Sequence, residues 1–424
     1  MKYPTAIILA AGRGTRMKSE TPKVLHKMLG HTIIEYVLDS IREAGISERI
    51  VVAGYGSELL KNEVGGARVV IQKSLLGSGD AVAAAKKVLK NYSGDILVVC
   101  GDTPLVRPGT IKKLIEKHSS SGASATILTA DLKDPSGYGR ITRNADGKIS
   151  GIVEEANATF YEEVINEINV GTYCFKARDL FEALSAVKLD GKKREVFLTD
   201  TIAVLRGRGK AIESVLTEDP DEAIGVNTRI DLALSTAILK KRIMDALMLG
   251  GVTIEDPAST IIYPGVKIGK DTTIYSNTVI ESGVEIGSGC RIGPFSRIRP
   301  GVILGNRVEV GNFVELVRTK IGAGTKVKHH TYLGDSVIGK SVNIGAGTIT
   351  ANYDGKSKNK TIIEDGAFIG VGAVLIAPVH IGAGALVGAG SVVLKNHDVP
   401  RLATVVGVPA RIYKQRKAAD RRRW

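Results

Sequence analysis

Val266-Lys267-Ile268-Gly269-Lys270-Asp271-Thr272-Thr273-Ile274-Tyr275-Ser276-Asn277-Thr278-Val279-Ile280 carries an aliphatic residue at every sixth position. The spacing runs from Ile262 through Ile286, Ile292, Ile298, Leu304 and Val310 to Leu316. One-residue slips restart it at Ile321, Val327 and Leu333, and again at Ile338 and Ile344; a late run places Ile369, Leu375, Ile381, Val387 and Val393. Glycine commonly follows the aliphatic residue, as at Gly269, Gly287, Gly322 and Gly345, and a small or β-branched residue often sits two before it. A helix repeats every 3.6 residues and a strand every two, so neither gives a period of six. The period is the signature of a parallel β-helix, with three hexapeptides to a triangular coil, the aliphatic side chain inward and glycine at the tight corner. The break from Ala351 to Thr361 is expected to be a loop projecting from the coil.

Upstream the pattern changes. Between Thr5 and Asn227, short β-branched runs such as Ile7-Ile8-Leu9, Ile50-Val51-Val52, Val69-Val70-Ile71 and Ile96-Leu97-Val98-Val99 alternate with helix-like stretches such as Ile33 to Ala44 and Asp80 to Leu89. This predicts a mostly parallel α/β sheet, Rossmann-like, covered on both faces. Residues 228–249 read as one amphipathic helix with Leu232, Leu239, Ile243 and Leu247 as its apolar stripe, ended by Gly250-Gly251. The expected division is therefore 1–227, a linking helix 228–250, a coil 251–410 and a basic tail 411–424.

Composition agrees with two globular parts in a chain of 424 residues. Glycine counts 49 and aromatics make up only 5%, so the core must be small and aliphatic. The net charge is +14, but Arg411 to Trp424 holds seven Lys/Arg and one Asp, so six of those charges lie in the tail and no basic nucleic-acid face is implied. The three cysteines are widely separated, which gives no disulfide framework or CxxC metal site and suits a reducing cytoplasm. The apolar run at Thr5–Ala11 stops too soon for a signal peptide, and nothing approaches a membrane span of about 18 residues.

The first candidate site follows the first strand: Leu9-Ala10-Ala11-Gly12-Arg13-Gly14-Thr15-Arg16-Met17, then Pro22-Lys23. Glycines let backbone N–H groups approach a phosphate, and Arg16 and Lys23 add mobile positive charge. The GxxxxGK[ST] spacing of a Walker loop is absent. The stretch resembles the G-x-G-T-R-M…P-K signature of sugar-1-phosphate nucleotidylyltransferases. That resemblance implies in-line attack of a sugar 1-phosphate on the α-phosphorus of a nucleoside triphosphate. It assigns Leu9, Ala10, Gly12, Gly14, Lys23, Gln72, Gly77 and Ser78 to the nucleotide, with the Gln72 amide on a pyrimidine edge. It also assigns Asp102 with Asn227 to Mg²⁺, and Tyr138-Gly139-Arg140, Glu154 and Asn169 to the sugar.

The second site lies in the coil, where His329-His330 precedes Thr331-Tyr332-Leu333-Gly334-Asp335. A histidine titrating near neutrality can take the proton of an amine that attacks a thioester. With Arg299, Asn343-Ile344-Gly345-Ala346-Gly347-Thr348 and Asn352-Tyr353-Asp354-Gly355, it resembles the family of bifunctional N-acetylglucosamine-1-phosphate uridyltransferase/glucosamine-1-phosphate acetyltransferases, over nearly the whole chain. The resemblance implies a left-handed β-helix that trimerises, acetyl-CoA and UTP as co-substrates, and His329 as general base. Arg299, Tyr332, Asn343, Asn352 and Tyr353 would bind sugar, and Asn352, Tyr353 and Ala389 would bind acetyl-CoA.

The chain departs from that pattern at Val317, where a phosphate-binding Lys is expected, with Arg318 beside it. It departs also at Cys100 for Tyr, at Asp80 for His in the Gly77-Ser78-Gly79-Asp80 run, and at Val371 for Ser. A different or broader sugar and base specificity is the alternative expectation. A non-catalytic assembly subunit ranks below both, because Lys23, Asp102, Asn227, His329, Asn343 and Asn352 are all present.

Overall fold

In a computed structural model, which describes residues 3–74, 76–187 and 195–415, the chain divides into two compact units between Ile238 and Leu239. The first is built on a sheet whose spatial order is Ile212–Leu216, Ala125–Asp131, Glu167–Lys176, Asp95–Cys100, Thr5–Ala10, Arg49–Ala53, Arg68–Ile71. The Thr5–Ala10 strand lies parallel to both Arg49–Ala53 and Asp95–Cys100. Glu167–Lys176 runs antiparallel to its two neighbours, so the sheet is mixed. A hairpin of Arg140–Arg143 and Ile149–Val153 branches from the start of Glu167–Lys176, at Ile168↔Arg140.

The continuous apolar runs have a simple cause. Ile7 and Ile8 are both fully buried, but on opposite faces. Ile8 packs with Ile34, Val37 and Ile41 of the Ile33–Glu43 helix, and Ile7 with Val82, Ala85 and Phe175. A strand covered on both sides has no polar face to alternate with. Its carboxyl ends, at Ala10, Ala53, Ile71 and Cys100, lie side by side, where open α/β sheets bind ligands.

In the second unit every sixth-position aliphatic residue from Ile262 to Leu316 lies inside the coil, and all but the half-buried Ile268 are buried. Strands of two to four residues stack in parallel into three sheets, in register at 18-residue steps such as Ile261↔Val279↔Arg297. The slips in the sequence are coils one residue short: Glu309↔Lys326 and Glu315↔Tyr332 are 17 apart. The break adds a longer step, Asn343↔Phe368, with a loop at 352–360. This is the hexapeptide β-helix. Most residues two before the aliphatic positions are inward as well, and some of their hydroxyls bind the next coil: Thr272 donates to the Gly287 carbonyl at 2.8 Å and Thr325 to the Gly339 carbonyl at 2.7 Å.

Three expectations change. Apart from Gly293, at φ +101, the glycines after the aliphatic positions are not required by a corner conformation. A Cβ on Gly345 would lie 2.6 Å from the Gly370 carbonyl carbon and the Val371 nitrogen, so the next coil leaves no room for one. The left-handed corner position instead tolerates Asp271, Asn277 and Phe295. The Arg229–Leu249 helix keeps Leu232, Leu239, Ile243 and Leu247 only half-buried, with Met244 and Ser235 as its buried residues, so it lacks a single apolar face. The first five residues of the expected tail are not free: Arg411–Gln415 pairs antiparallel with Ala403–Val406. Residues 416–424, with Arg421-Arg422-Arg423, lie outside the described residues.

Candidate active sites

The loop after the first strand makes two single 3₁₀ turns, Thr15–Met17 and Lys23–Leu25. Gly14 has φ +62, and a Cβ there would lie 2.6 Å from the Lys23 Cβ, so glycine lets the two turns close on each other. The Lys23 ammonium pairs with Asp102 and donates to Asn227 Oδ1 at 2.9 Å, and Arg16 donates to the same oxygen at 3.0 Å. Asp102 follows Gly101, whose N–H bonds the Leu9 carbonyl at 2.9 Å and which has no space for a Cβ against that oxygen. Asn227 is fixed from behind, its N–H donating to Asp231 Oδ2 at 3.0 Å at the start of the long helix. Four residues from three separate parts of the chain thus meet at one polar point.

Two hard oxygens, from Asp102 and Asn227, converge there on a cation, the Lys23 ammonium. Among the described residues no group of three or more His, Cys, Asp or Glu could hold a metal ion. A donor set of one carboxylate and one amide oxygen fits Mg²⁺, which keeps waters and substrate phosphates as its other ligands.

The sugar-assigned residues also come together. The Asn169 N–H donates to the Gly139 carbonyl at 2.9 Å, and a Cβ on Gly139 would lie 3.5 Å from Glu154 Oε2. Asn169 Nδ2 donates to the Tyr173 hydroxyl at 2.6 Å and its Oδ1 accepts from the Gly171 N–H at 3.1 Å. Cys100 sits against Gly171; burial, and then the Asp102 carboxylate, push its thiol up to about 12, so it is neutral beside the charged pair. On the base side, Gln72 is buried and the Gly77-Ser78-Gly79 run opens the Ser78–Ala85 helix.

Two contacts here had no signal in the sequence. Thr199 donates to Glu154 Oε1 at 2.8 Å, and the Leu198 N–H donates to Ser78 Oγ at 3.0 Å. One segment therefore braces both ends of the site, and neither residue belongs to a recognisable motif.

In the coil, Lys326–His329 and Glu309–Asn312 each run two residues beyond the neighbouring strands Arg291–Ile292 and Asn343–Ile344, placing Asn312 opposite His329. The His329 ring Nδ1 lies 2.8 Å from Asn312 Oδ1. An amide oxygen only accepts, so Nδ1 carries the proton and Nε2 is the basic nitrogen. His329 is exposed and borders a cleft of about 270 Å³ with Asn312, Tyr275, Arg291 and Lys328. Arg299 donates to Glu315 Oε1 at 3.1 Å, and Glu315 is the register partner of Tyr332. Asn352, buried, donates to Asp335, which also takes two bonds from Arg318 at 2.6 and 2.7 Å. These bonds hold the Asp335 carboxyl below the usual carboxylate range. Arg318 is thus ion-paired with Asp335, and Val317 beside it is buried. Tyr353 is exposed on the loop, Asn343 is half-buried on its strand, and Ala389 stacks over Gly370. Among the described residues no side-chain hydrogen bond joins the His329, Arg299 and Asn352 groups within one chain.

Comparison with known proteins agrees with both halves. The MobA-like NTP transferase domain family matches residues 6–203. The bacterial transferase hexapeptide family matches residues 283–318 and 360–395, and the hexapeptide repeat of succinyl-transferase matches 265–294. The chain is 41% identical to the bifunctional protein GlmU of Syntrophotalea carbinolica over 93% of its length and 92% of that protein's. It is 44% identical to that of Shouchella clausii, covering 94% and 95%, and 43% identical to that of Geobacillus thermodenitrificans, covering 97% and 96%. With an NTP-transferase sheet and a hexapeptide coil joined in one chain over nearly its relatives' full length, this protein belongs to the family of bifunctional GlmU proteins.

Proposed function

We propose that the chain carries out two successive transfers in the synthesis of UDP-N-acetylglucosamine. In the coil, acetyl passes from acetyl-CoA to the amine of glucosamine 1-phosphate. In the first unit, N-acetylglucosamine 1-phosphate then attacks the α-phosphorus of UTP and releases pyrophosphate. The observation that carries this reading is one polar centre in each unit: Lys23, Arg16, Asp102 and Asn227 at the sheet's carboxyl ends, and the His329–Asn312 pair on the coil.

For uridylyl transfer no covalent residue is needed. Lys23 and Arg16 neutralise phosphate charge and hold the reacting oxygens in line, and Gly139, Glu154 and Asn169 orient the sugar. Asp102 and Asn227 would hold Mg²⁺, which when bound adds charge neutralisation at the phosphates. For acetyl transfer, His329 Nε2 takes the proton of the attacking amine while Asn312 keeps the ring in that tautomer. Arg299, Tyr332, Asn343, Asn352, Tyr353 and Ala389 bind sugar phosphate and coenzyme A. The separation of these groups within one chain supports a homotrimer in which neighbouring coils complete each site. Exposed Ile303, Val337 and Ile362, in one column of one sheet with Lys320 between the first two, support such self-association. Residues 1–227 and 251–410 are the two transferring parts, linked by 228–250, and the cytoplasm is where UTP and acetyl-CoA are at hand. Among the described residues no helix is long and apolar enough to cross a membrane.

The test supplies glucosamine 1-phosphate, acetyl-CoA, UTP and Mg²⁺ and follows free coenzyme A and pyrophosphate separately. His329→Ala is expected to lose coenzyme A release and keep pyrophosphate release from N-acetylglucosamine 1-phosphate. Loss of both in a folded protein overturns the reading of two independent sites.

A further inference from the structure

Gln72 directly follows the strand Arg68–Ile71 and is 5% exposed. Its amide nitrogen is fully engaged within the protein: Nε2 donates to Asp80 Oδ2 at 2.7 Å and to the Gly77 carbonyl at 3.2 Å. An amide nitrogen carries two hydrogens, so both are used. Among the described residues nothing donates to Oε1. Asp80 lies in the first turn of the Ser78–Ala85 helix, and that helix is anchored by Gly79 N–H to the Val196 carbonyl at 2.8 Å and by Ser78 to Leu198. The carboxylate is therefore not free to withdraw. A carboxylate accepts and does not donate, so rotating the Gln72 amide would set two acceptors against each other and leave a buried group unpaired.

We propose that Asp80 sets the base specificity of nucleotidyl transfer by locking Gln72 so that it offers a carbonyl oxygen, and no N–H, to the base. An acceptor pairs with the imide N–H of uracil or thymine. It opposes the unprotonated ring nitrogen of cytosine, where a donor is needed. The selection is made by a residue that does not touch the base. It rests on the reading that Gln72 faces the pyrimidine.

The test measures kcat/KM for UTP and for CTP with N-acetylglucosamine 1-phosphate, in the wild type and in Asp80→Asn. Asparagine can donate as well as accept, so the shorter of the two bonds that fix the amide no longer demands a donor and only the 3.2 Å bond to the Gly77 carbonyl still opposes rotation; the UTP-to-CTP ratio is expected to fall by at least about tenfold. The KM for the sugar phosphate and the coenzyme A release should not change, which shows that the protein remains folded. An unchanged UTP-to-CTP ratio in a folded Asp80→Asn protein overturns the proposal. Gln72→Leu separates the two ideas: if it leaves the UTP kcat/KM as in the wild type, Gln72 does not read the base. If Gln72→Leu weakens UTP use while Asp80→Asn leaves the ratio untouched, the base reading stands and the lock alone is wrong.

Discussion

His329 Nδ1 lies 2.8 Å from Asn312 Oδ1, across two adjacent coils and 17 residues of chain. The pair exists because the strands here extend to residues 312 and 329, so the side chains at their ends stand opposite each other. Removing the base in His329→Ala should lower coenzyme A release by about 10²–10⁴-fold. Asn312→Ala should lower it by less, because the imidazole remains but its tautomer is no longer held. Pyrophosphate release is the control, and an Asn312→Ala protein with wild-type acetyl transfer would show that the contact is idle.

The cluster in the other unit gives a second expectation. Asp102→Ala removes the carboxylate that pairs with Lys23, and leaves the ammonium, 13% exposed, with Asn227 alone. Pyrophosphate release should be abolished while coenzyme A release persists. Asn227→Ala should act in the same direction, since it releases Lys23 and Arg16 together. Wild-type pyrophosphate release from either folded variant removes the cluster from the reaction.

Acid should loosen the loop that carries Lys23. His26 caps its second turn, and burial, then the Arg229 guanidinium, lower its pKa. Its folded pKa lies below the unfolded value of about 6.5, so the contribution is present above that value and is lost as pH falls through the folded one. His26→Gln cannot titrate. The fall in Tm between pH 7 and pH 5 should therefore be smaller in this variant than in the wild type, and equal slopes would refute the assignment.

Coil stacking supplies a stability test. Gly345→Ala places a methyl 2.6 Å from the Gly370 backbone, which overpacks the coil and should cost about 1–3 kcal/mol. Gly109→Ala, where no atom lies within 4 Å of the added carbon, is the comparison. Similar Tm values for the two in thermal melts would mean that the coils can move apart.

The sequence by itself determined what is local or periodic. A period of six specifies a coil because each hexapeptide repeats the same step, and the one-residue slips at Ile321 and Ile338 appear directly as 17-residue turns. The Gly14…Lys23 loop was legible because its residues lie within one short stretch. The tertiary structure decided which side chains meet across long separations: Lys23 with Asp102 and Asn227, Thr199 with Glu154, Asn312 with His329, and Arg318 with Asp335. It also moved the reason for glycine at Gly345 from the turn to the neighbouring coil. Periodicity records the environment of each residue along the chain, whereas a hydrogen bond depends on two directions in space, and these are fixed only when the sheets have packed.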